Sequence, residues 1–241
     1  MPSILITGAA RGIGLELCRQ YAAAGWRVIA TCRDPDKAAA LRDLAHSCDA
    51  VKIERLDVTD AASIAALAER LKDETLDVLI NNAGVLSGDS RYVWHENDAM
   101  LNQKFGTIDP EDWDKVLRTN TIAPVMVTQA LLPQVKRGAG RKVIMISSRF
   151  GSIAHPFPGY IAYATSKAAL NMAMRNAAEV VRGDTITVVS LHPGWVKTDM
   201  GGPNADITVE ESVAGMRKVI DGLTLQQSGG FIAYDGNALP W

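Results

Sequence analysis

The chain reads as an α/β protein, a doubly wound parallel sheet of about seven strands with helices on both faces. Three observations predict this. Short apolar runs rich in β-branched residues recur at regular distances along the 241 residues, nearly continuous rather than alternating with polar ones. Segments with helical spacing separate them. The first run leads straight into a glycine-rich turn that opens a helix, where right-handed crossovers place the ligand crevice of such sheets.

The elements follow in order. Ser3–Thr7 is the first strand, and a helix over Ile13–Ala24 follows the glycines. Arg27–Thr31 pairs with a helix over Pro35–Ala45, and Val51–Leu56 with one over Ala61–Leu71. Asp77–Ile80 is the fourth strand. The polar, irregular stretch Leu86–Asp109 is longer than most connections, so it is expected to be a functional loop. A long helix over Pro110–Leu132 precedes the strand Lys142–Ser147, and a second, Tyr160–Val181, precedes Thr185–Leu191. Val209–Leu223 is the last helix and Phe231–Ala233 the last strand. No Pro/Gly/Ser-rich linker or charge run divides the chain, so residues 1–241 are expected to form one domain.

Composition narrows the function. Hydrophobic residues make up 47% and charged residues 22%, as in soluble globular proteins, and no apolar run is long enough to span a bilayer. A net charge of -2 gives no general attraction to nucleic acid or anionic membrane, so neither partner is expected. Cys18, Cys32 and Cys48 lack metal-ligand spacing, and their odd number argues against a disulfide framework. MPSILIT has no basic stretch followed by a long apolar one, which points away from a secretory signal. Together these predict a cytoplasmic protein with no metal.

Two motifs carry chemistry. In TGAARGIG, Gly8 and Gly12 let the backbone turn and approach a pyrophosphate, Gly14 allows close packing, and the helix start at Ile13 offers free N–H groups. The spacing is G-x-x-x-G-x-G, not the commoner G-x-G-x-x-G. In GYIAYATSK, two tyrosines stand three residues apart. A phenol needs help to act as acid and base near neutral pH, and an ammonium one helical turn away favours the phenolate. Tyr163 has Lys167 at that spacing, whereas Tyr160 has Ala164. Tyr163 is the candidate acid, and Tyr160 a packing or pocket-wall residue.

TGxxxGIG, NNAG (Asn81–Gly84), a serine at a strand end, YxxxK and PGWVKT (Pro193–Thr198), in this order across nearly the whole chain, resemble the short-chain dehydrogenase/reductase family. RGIGLELCRQ, ATCRDPDKA, ISSRFGSI, LHPGWVKTDMGG and YDGNALPW look like its C-factor and sniffer-type carbonyl reductase branch. The resemblance implies a Rossmann-like fold, an NAD(H)- or NADP(H)-dependent oxidoreductase, and a small aldehyde, ketone or secondary alcohol as substrate. Asp57 would hold the adenine amino group with Val58 beside it; otherwise Asp57 caps a helix, a task Thr59 or Asp60 can fill. Asn81, Ala83 and Gly84 would approach the cofactor's ribose. Pro193 and Gly194 would bring the Val196 backbone and the Thr198 hydroxyl to the nicotinamide carboxamide.

The family pattern places a glycine three residues after the catalytic serine, so Gly151 selects Ser148 over Ser147. Asn120 matches the asparagine that bends its helix and supports a proton relay to the lysine. The implied tetrad is Asn120, Ser148, Tyr163 and Lys167. Ser148 and Tyr163 stand fifteen apart where many members have thirteen, and HPFPG is expected to absorb the excess as a bulging loop.

At the end of the second strand, Arg33, joined by Arg11, would offer two guanidiniums to a 2′-phosphate, which favours NADP(H). Asp34 keeps NAD(H) open. Leu86, Arg149, Phe150, Phe157, Trp195 and Met200 are candidate substrate contacts, and the short segment after Thr198 predicts an open cleft. His155 and His192 stand alone and are not expected to act as bases or ligands. Relatives often dimerise through the two long helices, which makes a homodimer or homotetramer an option, although Leu86–Asp109 is placed to cover that surface. The rival class is a nucleotide-binding signalling protein of C-factor type, acting by binding rather than turnover.

Overall fold

A computed structural model describes residues 1–87 and 103–241. Its strands are β1 (Ser3–Ile6), β2 (Arg27–Cys32), β3 (Val51–Arg55), β4 (Val78–Asn81), β5 (Lys142–Ile146), β6 (Thr187–His192) and β7 (Phe231–Ala233). They form one parallel sheet in the order β3-β2-β1-β4-β5-β6-β7. The order reverses between β1 and β4, so the chain leaves that point toward opposite edges and opens a crevice beyond the strand ends.

Successive side chains of each strand feed two cores. Ile4, Ile6, Val78, Ile80, Ile144 and Ile146 pack on one face with helices α1 (Gly12–Ala23), α2 (Ala39–Ser47) and α7 (Val209–Gly222). Leu5, Leu79, Val143, Met145 and Val188 pack on the other, against α3 (Ala61–Arg70), α5 (Ala123–Arg137) and α6 (Ile161–Val180). Burial on both faces is why the strands read as unbroken apolar runs. Each fully buried aliphatic side chain contributes about 1.5–3 kcal/mol.

Helix starts follow local chemistry. Asp60 accepts from the Ala62 N–H at the start of α3, and Asp109 from the Glu111 N–H at the start of α4 (Pro110–Leu117). Thr208 and Glu211 form a reciprocal capping box on α7.

Two expected helices differ in detail. Pro35–Ala45 divides into a 3-10 turn, Pro35–Lys37, and α2, with the backbone leaving helical geometry at Ala38. Pro110–Leu132 becomes α4, a π-helical turn at Arg118–Ile122, and α5, which runs through Pro133 to Arg137. Pro133 has no N–H to donate, yet the turn beyond it is held by tertiary contacts. Val135 is buried, the Gln134 amide donates to the carbonyls of Ala68 and Leu71, and Arg137 donates to that of Glu74 at 2.8 Å. Of the irregular stretch Leu86–Asp109, residues 88–102 lie outside the described ones, and the expectation of a functional loop falls largely on them. Among the described residues, no helix is long and apolar enough to cross a membrane.

Candidate active site

The crevice at the β1/β4 switch is a cleft of about 720 Å³. It runs from Cys32, Arg33, Asp57 and Val58, past the glycine turn, to Tyr163, Lys167, Pro193 and Thr198. Gly8, Gly12, Ile13, Gly14, Ala83, Gly84, Leu86 and Met200 also line it.

The glycine turn needs its glycines. Gly8 and Gly12 have φ of 68° and 54°. A Cβ on Gly8 would lie 2.8 Å from Ala83 Cα, and one on Gly14 would collide with the Gly8 carbonyl oxygen. The turn is therefore pressed against the NNAG segment. Thr7 Oγ1 accepts from the N–H groups of Asn82 and Ala83, both at 3.0 Å, and Asn82 Nδ2 donates to the carbonyls of Thr7 and Gly8.

Asn81 is not part of this arrangement. Its side chain is buried and donates to Thr128 Oγ1 on α5 at 2.9 Å, away from the cleft. This corrects the expectation that the first asparagine of NNAG faces a cofactor. Successive strand residues point to opposite faces, and it is Asn82, overlooked in the sequence, that reaches the glycine turn.

At the chemical end, Asn120 sits within the π-helical turn, fully buried. Its Oδ1 accepts from the Val85 N–H at 2.9 Å, and its Nδ2 donates to the Val85 carbonyl at 2.8 Å and to Ser166 Oγ at 3.1 Å. Lys167 Nζ donates to the Ile146 carbonyl oxygen at 2.8 Å. A Cβ on Gly84 would come within 3.3 Å of Asn120 Oδ1 and 3.7 Å of Lys167 Nζ, so only glycine leaves that space open.

The Ser148 side chain stands beside the Tyr163 hydroxyl and favours its ionised form, opposing the effect of burial. Ser147 instead donates to Asn171 Oδ1 on α6 at 2.7 Å. Gly151 explains the choice. Its missing side chain lets the strand-end turn rest on α6, since a Cβ there would stand 2.8 Å from the Lys167 carbonyl carbon. The four predicted residues thus converge on one end of the sheet.

Their ionisation follows burial. Tyr163 is pushed up to about 12, with the Ser148 hydrogen bond opposing the rise, and Lys167 is pushed down to about 8. The lowered phenol that the Tyr/Lys spacing predicts is not observed. Lys167 Nζ lies 5.7 Å from the Tyr163 ring centroid, and burial, which disfavours the phenolate, is what raises the phenol. His192 is driven down to about 4 by burial and is therefore neutral near pH 7.

The 3-10 turn Arg149–Gly151 and the following loop carry an aromatic group. Phe150 stacks on Phe157 at 4.6 Å and on Tyr160 at 5.8 Å, and meets the Tyr163 ring edge-on at 6.4 Å. Tyr160 adopts a left-handed backbone with φ of 50°, which costs about 1–2 kcal/mol. Stacked pairs, at about 0.5–1.5 kcal/mol each, offset that cost. HPFPG forms an irregular, mostly exposed segment between this turn and α6.

In the PGWVKT segment, Pro193 and Thr198 face the cleft, while Gly194 turns the chain with φ of 89°. The Val196 side chain is buried, and its backbone is bridged to Ile207. Trp195 is 43% exposed, lies outside the cleft lining and donates to the Gly201 carbonyl at 2.8 Å. Thr198 Oγ1 accepts from the Gly201 N–H at 3.0 Å.

The two expected phosphate-binding arginines differ. Arg33 lies exposed at the cleft, whereas Arg11 is ion-paired with Asp199 across its mouth. Asp34 is held by Lys37 at 2.7 Å and does not line the cleft. Asp57 does, with one carboxylate oxygen accepting from the Thr59 N–H and hydroxyl. Asp60, not Asp57, caps α3.

A family model described as short chain dehydrogenase matches residues 2–207. The chain belongs to this family. It is 43% identical to the C-signal of Myxococcus xanthus over 177 residues, 73% of this chain and 99% of that one. It is 39% identical to the NADPH-bound carbonyl reductase from chicken fatty liver, with a TM-score of 0.89 over 100% of this chain and 99% of that one. It is 35% identical to the carbonyl reductase Sniffer of D. melanogaster, with a TM-score of 0.86 over the whole of both chains. Its neighbours among known structures thus include carbonyl reductases, and its family is one of NAD(P)-dependent oxidoreductases.

Proposed function

We propose that the protein transfers a hydride between NADP(H) and the carbonyl or alcohol carbon of a small aldehyde, ketone or secondary alcohol. The observation that carries this reading is that Tyr163 and Lys167 line one end of a dinucleotide-sized cleft, with Ser148 beside the Tyr163 side chain and Asn120 buried behind the wall at Val85. The residues fit such a cofactor: the Gly8, Gly12 and Gly14 turn lines the cleft at the start of α1, and Gly84 keeps the space beside Lys167 open.

When bound, the nicotinamide supplies or takes the hydride. In the reductive direction, Tyr163 Oη gives its proton to the substrate oxygen, so the carbonyl gains one hydride at carbon and one proton at oxygen. A neutral, high-pKa phenol holds that proton until the oxygen develops charge. Ser148 Oγ hydrogen-bonds the same oxygen, and Lys167, an ammonium near pH 7, stabilises the phenolate left behind. Asn120 holds the Val85 backbone and so the cleft wall beside Lys167.

NADP(H) is favoured over NAD(H) because Asp34 is occupied by Lys37 and turned from the cleft, leaving Arg33 beside the position of a 2′-phosphate. The NADPH bound to the chicken carbonyl reductase supports the same choice.

The test mixes purified protein with NADPH or NADH and a carbonyl panel and follows nicotinamide absorbance. Tyr163→Phe is expected to keep cofactor binding within about twofold and lower kcat at least about a hundredfold. Wild-type turnover by that variant would remove Tyr163 from the chemistry. The likeness to C-signal carries a second reading, action by binding alone; tight NADPH binding with no turnover on any panel member would favour it.

A further inference from the structure

The first turn of α6 carries the proposed acid but has no cap of its own. Tyr160, which precedes it, is left-handed and supplies no side-chain cap. Early N–H groups of a helix have no partner within the helix. That of Tyr163 finds one far away in sequence: it donates to Gln103 Oε1 at 3.0 Å. The other end of the same amide, Gln103 Nε2, donates to the carbonyl oxygen of Leu86. Gln103 is 1% exposed, and both ends of its amide are used.

Leu86 lines the cleft and directly follows Val85, whose N–H and carbonyl are both held by Asn120. Asn120 in turn donates to Ser166, three residues beyond Tyr163. The segment leaving β4 is therefore tied to α6 twice, through Asn120 on one side and Gln103 on the other. Two ties at separate points fix both the distance and the rotation of that helix relative to the cleft wall.

We propose that Gln103 is a positioning residue, whose amide sets the place of the Tyr163 hydroxyl in the cleft by joining the Tyr163 backbone to that of Leu86. It touches neither the reacting atoms nor the cofactor site. The inference rests on the reading of Tyr163 as acid given above. Displacements of the order of 1 Å lower catalysis by about a hundredfold, so loss of the tie should appear in kcat rather than in cofactor binding.

The experiment compares wild type, Gln103→Leu and Gln103→Glu for kcat, KM and cofactor Kd across pH. Gln103→Leu is expected to lower kcat at least about tenfold and leave cofactor Kd within about twofold. In Gln103→Glu, a protonated carboxyl both accepts from the Tyr163 N–H and donates to the Leu86 carbonyl; ionised, it repels that carbonyl. Its kcat relative to wild type should therefore approach one at low pH and fall as pH rises. A kcat of Gln103→Leu within about twofold of wild type overturns the proposal, as does a loss matched by an equal loss of cofactor affinity. Should Gln103→Leu fail to fold, Gln103→Glu decides: a pH-independent kcat ratio overturns it. If wild type turns nothing over, the reading of Tyr163 has failed instead. Amide hydrogen exchange then tests the tie, and wild-type protection of the Tyr163 N–H in Gln103→Leu, which leaves that group no acceptor, overturns it.

Discussion

Replacing Asn120 by leucine removes three hydrogen bonds while keeping the number of side-chain heavy atoms. The Val85 N–H and carbonyl lose their partners, while Ser166 Oγ keeps its bond to the Tyr163 carbonyl at 2.7 Å. Two backbone groups are left unpaired beside a fully buried side chain, at about 1–3 kcal/mol each. The added apolar burial returns about 1–2 kcal/mol. At mid-range, about 4 kcal/mol lost against about 1.5 returned, the net loss is about 2.5 kcal/mol, which for a chain of this size lowers Tm by about 5–10 °C. Thermal unfolding followed by circular dichroism reads this directly, and hydrogen exchange reports the Val85 amide. An Asn120→Leu protein melting within about 1 °C of wild type, with Val85 still protected, would refute the reasoning. It would mean that Val85 finds other partners and that the π-helical turn is not held by Asn120.

Two further outcomes follow from the same geometry. Gly14→Ala forces apart the Gly8 carbonyl and Asn82 Nδ2, the latter only 2.6 Å from the new methyl, so NADPH Kd should rise at least about tenfold; wild-type affinity by titration would contradict it. Lys167→Met removes an ammonium whose folded pKa, about 8, is below its ordinary 10.5. Below pH 8 the wild type is charged in both states and carries the full cost of burial, about 3 kcal/mol, so the variant should melt higher there. Between pH 8 and 10.5 the unfolded chain binds more protons, wild-type stability rises, and the gap narrows. A gap constant across that window would contradict the burial argument.

Much of the molecule was legible because its causes are local. Each strand's apolar run states that both faces are buried, and TGAARGIG states a turn that only glycine allows. Tyr163 and Lys167 lie one helical turn apart, so their shared face follows from spacing alone. Continuation of α5 through Pro133 was not legible, because what holds that turn is Ala68, Leu71 and Glu74 from another part of the chain.

The site's finer decisions are of the same non-local kind. Whether Asn81 or Asn82 faces the glycine turn depends on the phase of a four-residue strand, which a continuous apolar run does not reveal. Arg11 meets Asp199 across 188 residues, and Gln103 reaches Tyr163 across 60. The raised phenol of Tyr163 is a matter of desolvation, which exists only once the chain has closed around it. By itself, then, the sequence determined the sheet, its ligand-binding end and the Tyr163–Lys167 pair, because short-range sterics and periodicity suffice for these. Only the tertiary structure decided which distant groups hold that pair in place, because burial and long-range hydrogen bonding have no local signature.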